Sequence, residues 1–245
     1  TDNKQTLDWI ERRLKKFAQT TKEVYADVEK YTNYTSKNSQ LSKSINAIKE
    51  EIAANQSAYN SYMAFANSVD LSEGYKSRVR DGSLNIEVIK DSDLRDKISR
   101  YQDLYDKAQS CKDTIESLMK TEKEYASKQL NNIEKYFNNR ITQAQNSLSY
   151  YNSADTDNIY LTKNFSGIRD AYNKQIAETK NESAQLKASL DTLSRQGLIN
   201  TDDWYEWNNK IEQCDLSVRE LQKSIRDLAD EELNSINSTW NSRIG

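Results

Sequence analysis

The sequence contains no proline, no histidine and only five glycines among its 245 residues. Proline and glycine occupy the turn positions of chains that reverse direction often, so their scarcity excludes a sheet fold with many turns. Apolar residues make up 36% and charged residues 30%. That balance is polar for a globular enzyme, yet the many Leu, Ile, Tyr and Trp residues exclude a disordered chain. A helical fold with few corners satisfies both observations.

The missing residue types also limit the chemistry. Without histidine, the Ser-His and Cys-His nucleophile systems are excluded. There is no phosphate-binding glycine loop, no EF-hand loop and no metal-like cysteine spacing, and the acidic residues alternate with lysines as on a solvated helix face. We therefore predict that the chain is not an enzyme and that it has no catalytic residue, metal site, cofactor or small-molecule substrate.

Charge and hydropathy exclude two further classes of partner. The 35 basic and 38 acidic residues leave a net charge of -3, so no nucleic-acid-binding surface is expected. The longest apolar stretch, at 62–66, is far shorter than the roughly 20 residues that a membrane-spanning helix needs. We expect neither specific nucleic-acid binding nor a membrane-spanning segment.

Apolar residues recur at alternating steps of three and four, the heptad pattern of packed helices. The pattern predicts an all-α fold, in which residues 1–245 form one elongated helical segment. This segment would be an antiparallel bundle or coiled coil of two very long helices, about 4–69 and 92–152, and two shorter ones, about 160–196 and 201–244. The first helix would be on the order of 100 Å long, with a kink near Asn38. A corner with a short helix is expected over 70–91. Asp91 or Ser92 is the expected N-cap of the next helix, and Gly197 the end of the third.

A single apolar seam runs through these predicted helices. Its members are expected to pack between helices and to carry the structural role of the chain. They are Leu7, Ile10, Leu14, Phe17, Val24, Ile45, Ile48, Ile52, Ile98, Ile115, Leu118, Ile133, Phe137, Ile168, Tyr172, Leu186, Leu190, Trp204, Trp207, Ile211, Val218, Leu221 and Ile225.

An internal repeat supports this layout. Residues 101–141 match residues 204–244, and the offset superimposes Cys111 on Cys214. A repeated helical unit is the simplest explanation, with each helix antiparallel to its predecessor. If the second and fourth helices are neighbours across the third, we expect the two cysteines to lie at similar positions along the bundle axis.

Three aromatic residues near helix ends are candidates for contacts with a partner: Tyr205, Trp207 and Tyr150. Exposed aromatic side chains often mark recognition surfaces. For Trp207 the alternative is core packing, because this residue and Trp204 also occupy seam positions.

Five segments carry a resemblance to a known family. They lie at 7–14 (LDWIERRL), 60–69 (NSYMAFANSV), 79–86, 101–111 and 197–211. In this order they resemble segments of the tail tape measure proteins of long-tailed phages and prophages of Firmicutes, particularly those of gut Clostridia. The segment at 7–14 is similar to the helix start of that family, and the segment at 60–69 to the end of its first helix. The resemblance spans nearly the whole chain.

The resemblance implies a structural role as one section of a molecular ruler. Such a protein lies in the lumen of the tail tube, sets tail length during virion assembly, and is made in the cytoplasm of the bacterial host. The implied partners are tail tube and tail assembly proteins, with self-association through the coiled coil. The alternative is a coiled-coil or spectrin-like interaction module that binds a protein partner. The oligomeric state is left open by the sequence.

Overall fold

The structure is a computed structural model of the chain, and it describes residues 2–154, 156 and 158–244, the side chains of residues 2 and 3 excepted. The described residues form six α-helices and no β-strand, so the predicted all-α helical bundle is confirmed. The helices are α1 (Asp2–Ala26), α2 (Tyr34–Asn67), α3 (Glu73–Arg80), α4 (Ser92–Ser153), α5 (Phe165–Arg195) and α6 (Thr201–Ile244).

The prediction of one continuous helix over 4–69 is wrong. Helix α1 ends at Ala26, a short 3₁₀ helix covers Asp27–Lys30, and α2 begins at Tyr34. The side chain of Asn33 caps α2 by accepting a hydrogen bond from the backbone N–H of Thr35 at 2.8 Å. Because the chain turns at this point, α1 folds back along α2. The break therefore replaces the predicted kink near Asn38, which lies inside α2.

The other helix boundaries lie close to the predicted ones. Helix α4 begins after Asp91, whose side chain accepts a hydrogen bond from the N–H of Leu94 at 3.1 Å. Helix α5 ends near Gly197, which has a φ of 71°. This left-handed conformation favours glycine, and it lets the N–H of Leu198 reach the carbonyl of Leu193 at 3.0 Å. The side chain of Asn200 caps α6 by accepting a hydrogen bond from the backbone N–H of Asp203 at 2.8 Å.

The chain divides into two compact units, and the first comprises residues up to Tyr125. It is a three-helix arrangement of α1, α2 and the first half of α4. Helices α1 and α2 are antiparallel: Gln40 bonds to the carbonyl of Val24, while Ile10 near the start of α1 shares a core with Tyr62 near the end of α2. The corner at 70–91, with α3 and a 3₁₀ turn, covers one end of this core.

The second unit, from Ala126 onwards, contains the remainder of α4 together with α5 and α6. Helices α4 and α5 are antiparallel, since Arg140 pairs with Glu178 while the Tyr151 ring lies against Gly167. An apolar cluster of Phe165, Ile168 and Leu228 lies between α5 and α6. Each unit is thus built around three long helices, and α4 contributes to both units.

The two cysteines belong to different units. Cys111 belongs to the apolar core of the first unit, whereas Cys214 on α6 belongs to the second unit. The repeat is therefore a repeat of units: residues 101–125 are the third helix of one unit, and the matching residues of α6 are the third helix of the next. Both cysteines are free thiols.

Within the part of the chain that the structure describes, no helix combines the length and the apolar character that crossing a membrane requires.

Candidate functional site

The predicted seam residues lie where helices face one another. Each of the residues from Leu7 to Ile225 named above is buried or half-buried, and none is fully exposed. The fully buried members include Ile48 in α2, Ile98 and Ile133 in α4, and Ile168 and Leu186 in α5. The structural seam is therefore the packing surface of both units.

The candidate partner contacts divide into two exposed residues and one buried residue. Tyr205 and Tyr150 are exposed. The ring of Tyr205 lies edge-on to Trp204, with ring centroids 5.2 Å apart, and Tyr150 lies edge-on to Tyr151 at 5.3 Å. Trp207 is buried, so it is a core residue and is not available to a partner in the folded unit.

The most unusual feature of the second unit is a polar stripe buried along α5. It consists of Gln175, Glu178, Thr179, Glu182 and Ser183, all of them buried. Their spacing of three and four residues places them on one face of the helix, where a water-soluble bundle normally carries apolar side chains. Because buried polar groups cost free energy unless they find partners, each one needs a specific neighbour.

Charged and hydroxyl groups on α4 and α6 supply several of these neighbours. Arg140 on α4 donates to Glu178 at 2.6 Å, and this contact holds the pKa of Glu178 below its ordinary value. Ser183 donates to Asp215 on α6 at 3.1 Å. The stripe is thus partly neutralised by ion pairing and hydrogen bonding across helices.

Glu182 and Cys214 face each other within this polar interior. Burial, reinforced by the charge of Glu134, raises the pKa of Glu182 to about 7. Burial also raises the pKa of the Cys214 thiol to about 12, with a further contribution from the charge of Glu182. Lys210 offsets part of the negative charge, since its ammonium group lies 3.2 Å from a carboxylate oxygen of Glu134.

These groups border a cavity of about 730 Å³ between α4, α5 and α6. Gln175 also lines it, and the side-chain nitrogen of Gln175 has no hydrogen-bond partner among the described residues. At neutral pH the cavity can exchange a proton at Glu182. Cys214 stays protonated there, so it is a poor nucleophile.

The first unit contains a smaller polar cluster. Lys107 on α4 bridges Glu11 of α1 at 2.9 Å and Asp103 of its own helix at 3.3 Å, and the hydrogen bond to Glu11 raises the pKa of Lys107. Farther along α4, burial raises the pKa of Glu122. Among the residues that the structure describes, no three acidic or cysteine side chains converge as a metal site would require.

The sequence prediction did not include the Glu182 and Cys214 pair as a site. The available signal was that Glu182 lies four residues before the seam residue Leu186, so it occupies an inward-facing position with a charged side chain. Heptad spacing identifies such a position, but it does not identify the residue across the helix interface.

The chain matches no protein-family model, and neither the curated proteins nor the solved structures include one with significant similarity to it.

Proposed function

We propose that this chain is a structural section of a tail tape measure protein, lying in the lumen of a phage tail tube and setting tail length during assembly. The observation that carries the proposal is α4, an unbroken helix of 62 residues that serves two successive three-helix units. A helix converts residue number into distance at about 1.5 Å per residue, which is the physical requirement for a ruler.

The repeat adds to this argument. Residues 101–141 recur at 204–244, so one unit of the chain corresponds to an offset of 103 residues. A ruler built from such units can change length by whole units while each interface keeps its register. The partners on this proposal are tail tube and tail assembly proteins, and the protein is made in the cytoplasm of the bacterial host.

The test is an in-frame deletion of residues 142–244 in the phage gene that encodes the chain. This deletion removes 103 residues, which is the length of one repeat, and joins Ile141 to Gly245. Because Ile141 and Ile244 are equivalent positions, the heptad register of the seam is preserved. We expect tails shortened by up to about 150 Å, the length of 103 helical residues, measured by electron microscopy of purified virions. Tails of unchanged length would refute the ruler role.

The second candidate is a helical interaction module that binds a protein partner. The observation that favours it is Tyr205, an exposed aromatic ring held against Trp204 beside the start of α6. Exposed, pre-positioned aromatic rings are common at binding hot spots. An adaptor should lose its partner on Tyr205→Ser, whereas a ruler should tolerate that substitution and keep its tail length. The same virion measurement on Tyr205→Ser therefore separates the two functions.

A further inference from the structure

The last three turns of α6 carry an apolar seam that no described part of the chain covers. Leu233, Ile236, Trp240 and Ile244 have exposed fractions of 57%, 40%, 55% and 67%. This part of the helix makes its contacts through other positions. The Ser235 hydroxyl accepts a hydrogen bond from the backbone N–H of Thr162, and the Arg243 guanidinium lies over the ring of Tyr160. The face of α6 that carries these four apolar side chains is therefore open to solvent.

The same pattern occurs in α4, where it is buried. Residues 130–141 repeat the spacing of residues 233–244, with Leu130 for Leu233, Ile133 for Ile236, Phe137 for Trp240 and Ile141 for Ile244. Leu130, Ile133 and Phe137 are buried. Helices α5 and α6 lie over this part of α4, through Arg140 to Glu178 and through Lys210 to Glu134. An antiparallel hairpin thus covers the first occurrence of the pattern.

A related pattern begins the first unit. Leu7, Ile10 and Leu14 have the spacing of Leu130, Ile133 and Phe137. Ile10 is buried, and Leu7 and Leu14 pack partly against the same core. In both units, therefore, this apolar pattern marks the first of three helices, and the two remaining helices cover it.

Helix α6 is also continuous with an established interface. Its earlier residues Trp207, Ile211, Val218 and Leu228 are buried in the second unit, and the helix then continues without a break through Leu233. In α4 the same succession leads from the core of the first unit into the core of the second. The repeat thus assigns to residues 233–244 the position that residues 130–141 hold in α4.

We propose that the exposed seam of residues 233–244 is a docking surface for an antiparallel helix hairpin built like α5 and α6, so that α6 is the first helix of a further three-helix unit. Arg243 occupies the position of Arg140, so the hairpin should offer it a carboxylate equivalent to Glu178. The proposal does not depend on the ruler role, because a ruler and an adaptor could both contain such an array.

The test adds a hairpin of known sequence in the register that the repeat dictates. Ile244 is equivalent to Ile141 in the repeat. A second copy of residues 142–232 is therefore joined directly to Ile244, in place of Gly245. This addition supplies α5 and the first part of α6, and it leaves residues 233–244 present only once. Hydrogen exchange of the peptide 233–244, followed by mass spectrometry, then reports on the proposed surface alone.

We expect amide exchange across 233–244 to slow by about tenfold or more, because the segment changes from a helix end into part of a cooperative unit. Ile236→Asp in the extended chain should abolish this protection. The matched control is Ser238→Asp, which places the same charge roughly on the opposite side of the helix. Unchanged exchange in the extended chain, or an extension that adds no helical circular dichroism, would overturn the proposal.

A second measurement tests a different occupant. If the 245-residue chain forms dimers in light scattering, and residues 233–244 become protected as concentration rises, a second copy covers the seam and the proposal is wrong. A monomer whose residues 233–244 exchange fast at every concentration, together with protection in the extended chain, supports the hairpin.

Discussion

In the second unit, the thiol of Cys214 on α6 and the carboxylate of Glu182 on α5 lie close enough to shift each other's pKa, and both line the cavity between α4, α5 and α6. Glu182 is buried and Cys214 is half-buried, and both lie near a second carboxylate, that of Glu134, so negative charge is unfavourable on either of them. The pair therefore makes the stability of the second unit depend on pH in the neutral range.

Replacing Glu182 by Gln should remove this dependence. The folded-state pKa of about 7 lies above the ordinary value of 4.5, so the folded chain holds the proton more tightly than the unfolded chain. The resulting stability is complete below about pH 4.5 and is lost as the pH rises through 7. We expect Glu182→Gln to raise the free energy of unfolding at pH 8 by roughly 2 to 3 kcal/mol relative to the original chain, and by little at pH 5.

Urea unfolding at several pH values, followed by tryptophan fluorescence, measures this difference. Asp227→Asn is the matched control, since it neutralises an exposed carboxylate on α6 in the same unit. The free energy of unfolding is then compared between Glu182→Gln and the original chain at each pH. If the difference between them is constant from pH 5 to pH 8, Glu182 does not titrate in this range.

Arg140→Met should destabilise the second unit by leaving Glu178 buried without its cation. The Glu178 side chain is only 9% exposed, whereas that of Arg140 is 42% exposed, so solvent screens part of the interaction. We expect a measurable decrease in the free energy of unfolding at pH 7, because the Glu178 carboxylate would stay buried without its ion-pair partner. Arg140 lowers the pKa of Glu178, so its contribution is present above pH 4.5 and is lost as the pH falls below that value.

Chemical unfolding at pH 7 and pH 3.5 tests both parts of this expectation. Lys30→Met breaks an exposed ion pair with Asp27 and should leave the free energy of unfolding nearly unchanged. A penalty for Arg140→Met that is equal at the two pH values would show that the charge of Glu178 is not its cause.

Phe137 and Trp240 hold equivalent positions of the repeat, yet their substitution should have very different effects. Phe137 is buried, so Phe137→Ala should lower the free energy of unfolding by about 3 to 5 kcal/mol. Trp240 is exposed, so Trp240→Ala should change it by less than about 0.5 kcal/mol in the 245-residue chain. Thermal or urea unfolding monitored by circular dichroism measures both. A large loss for Trp240→Ala would mean that its side chain is already packed.

Gly167 should not tolerate alanine, although it lies within a helix. A methyl group at this position would overlap the ring of Tyr151, so Gly167→Ala should cost about 1 to 3 kcal/mol despite the higher helix propensity of alanine. Gly74 in α3 has open space around it, and Gly74→Ala should be neutral or stabilising by up to about 1 kcal/mol. Tyr151→Ala should largely relieve the penalty at Gly167, and additive losses in the double variant would contradict the proposed overlap.

The helical class and most helix boundaries could be predicted from local sequence signals. The chain has no proline and only five glycines, and apolar residues recur at helical spacing along α4 and α6. The side chain of Asp91 and the left-handed Gly197 mark a start and an end locally. These signals depend on neighbouring residues along the chain, so they can be identified before any tertiary contact is known.

Local signals do not show which helices pack against which apolar seams; that pairing depends on contacts between distant parts of the chain. The break between α1 and α2 has no proline or glycine; it is stabilised by the cap at Asn33 and by Gln40 bonding to Val24 across the hairpin. Likewise, the pairing of Glu182 with Cys214 depends on helices that are distant in sequence. A heptad pattern shows which face of a helix is apolar, but the partner of that face is selected by packing and by the desolvation of polar groups.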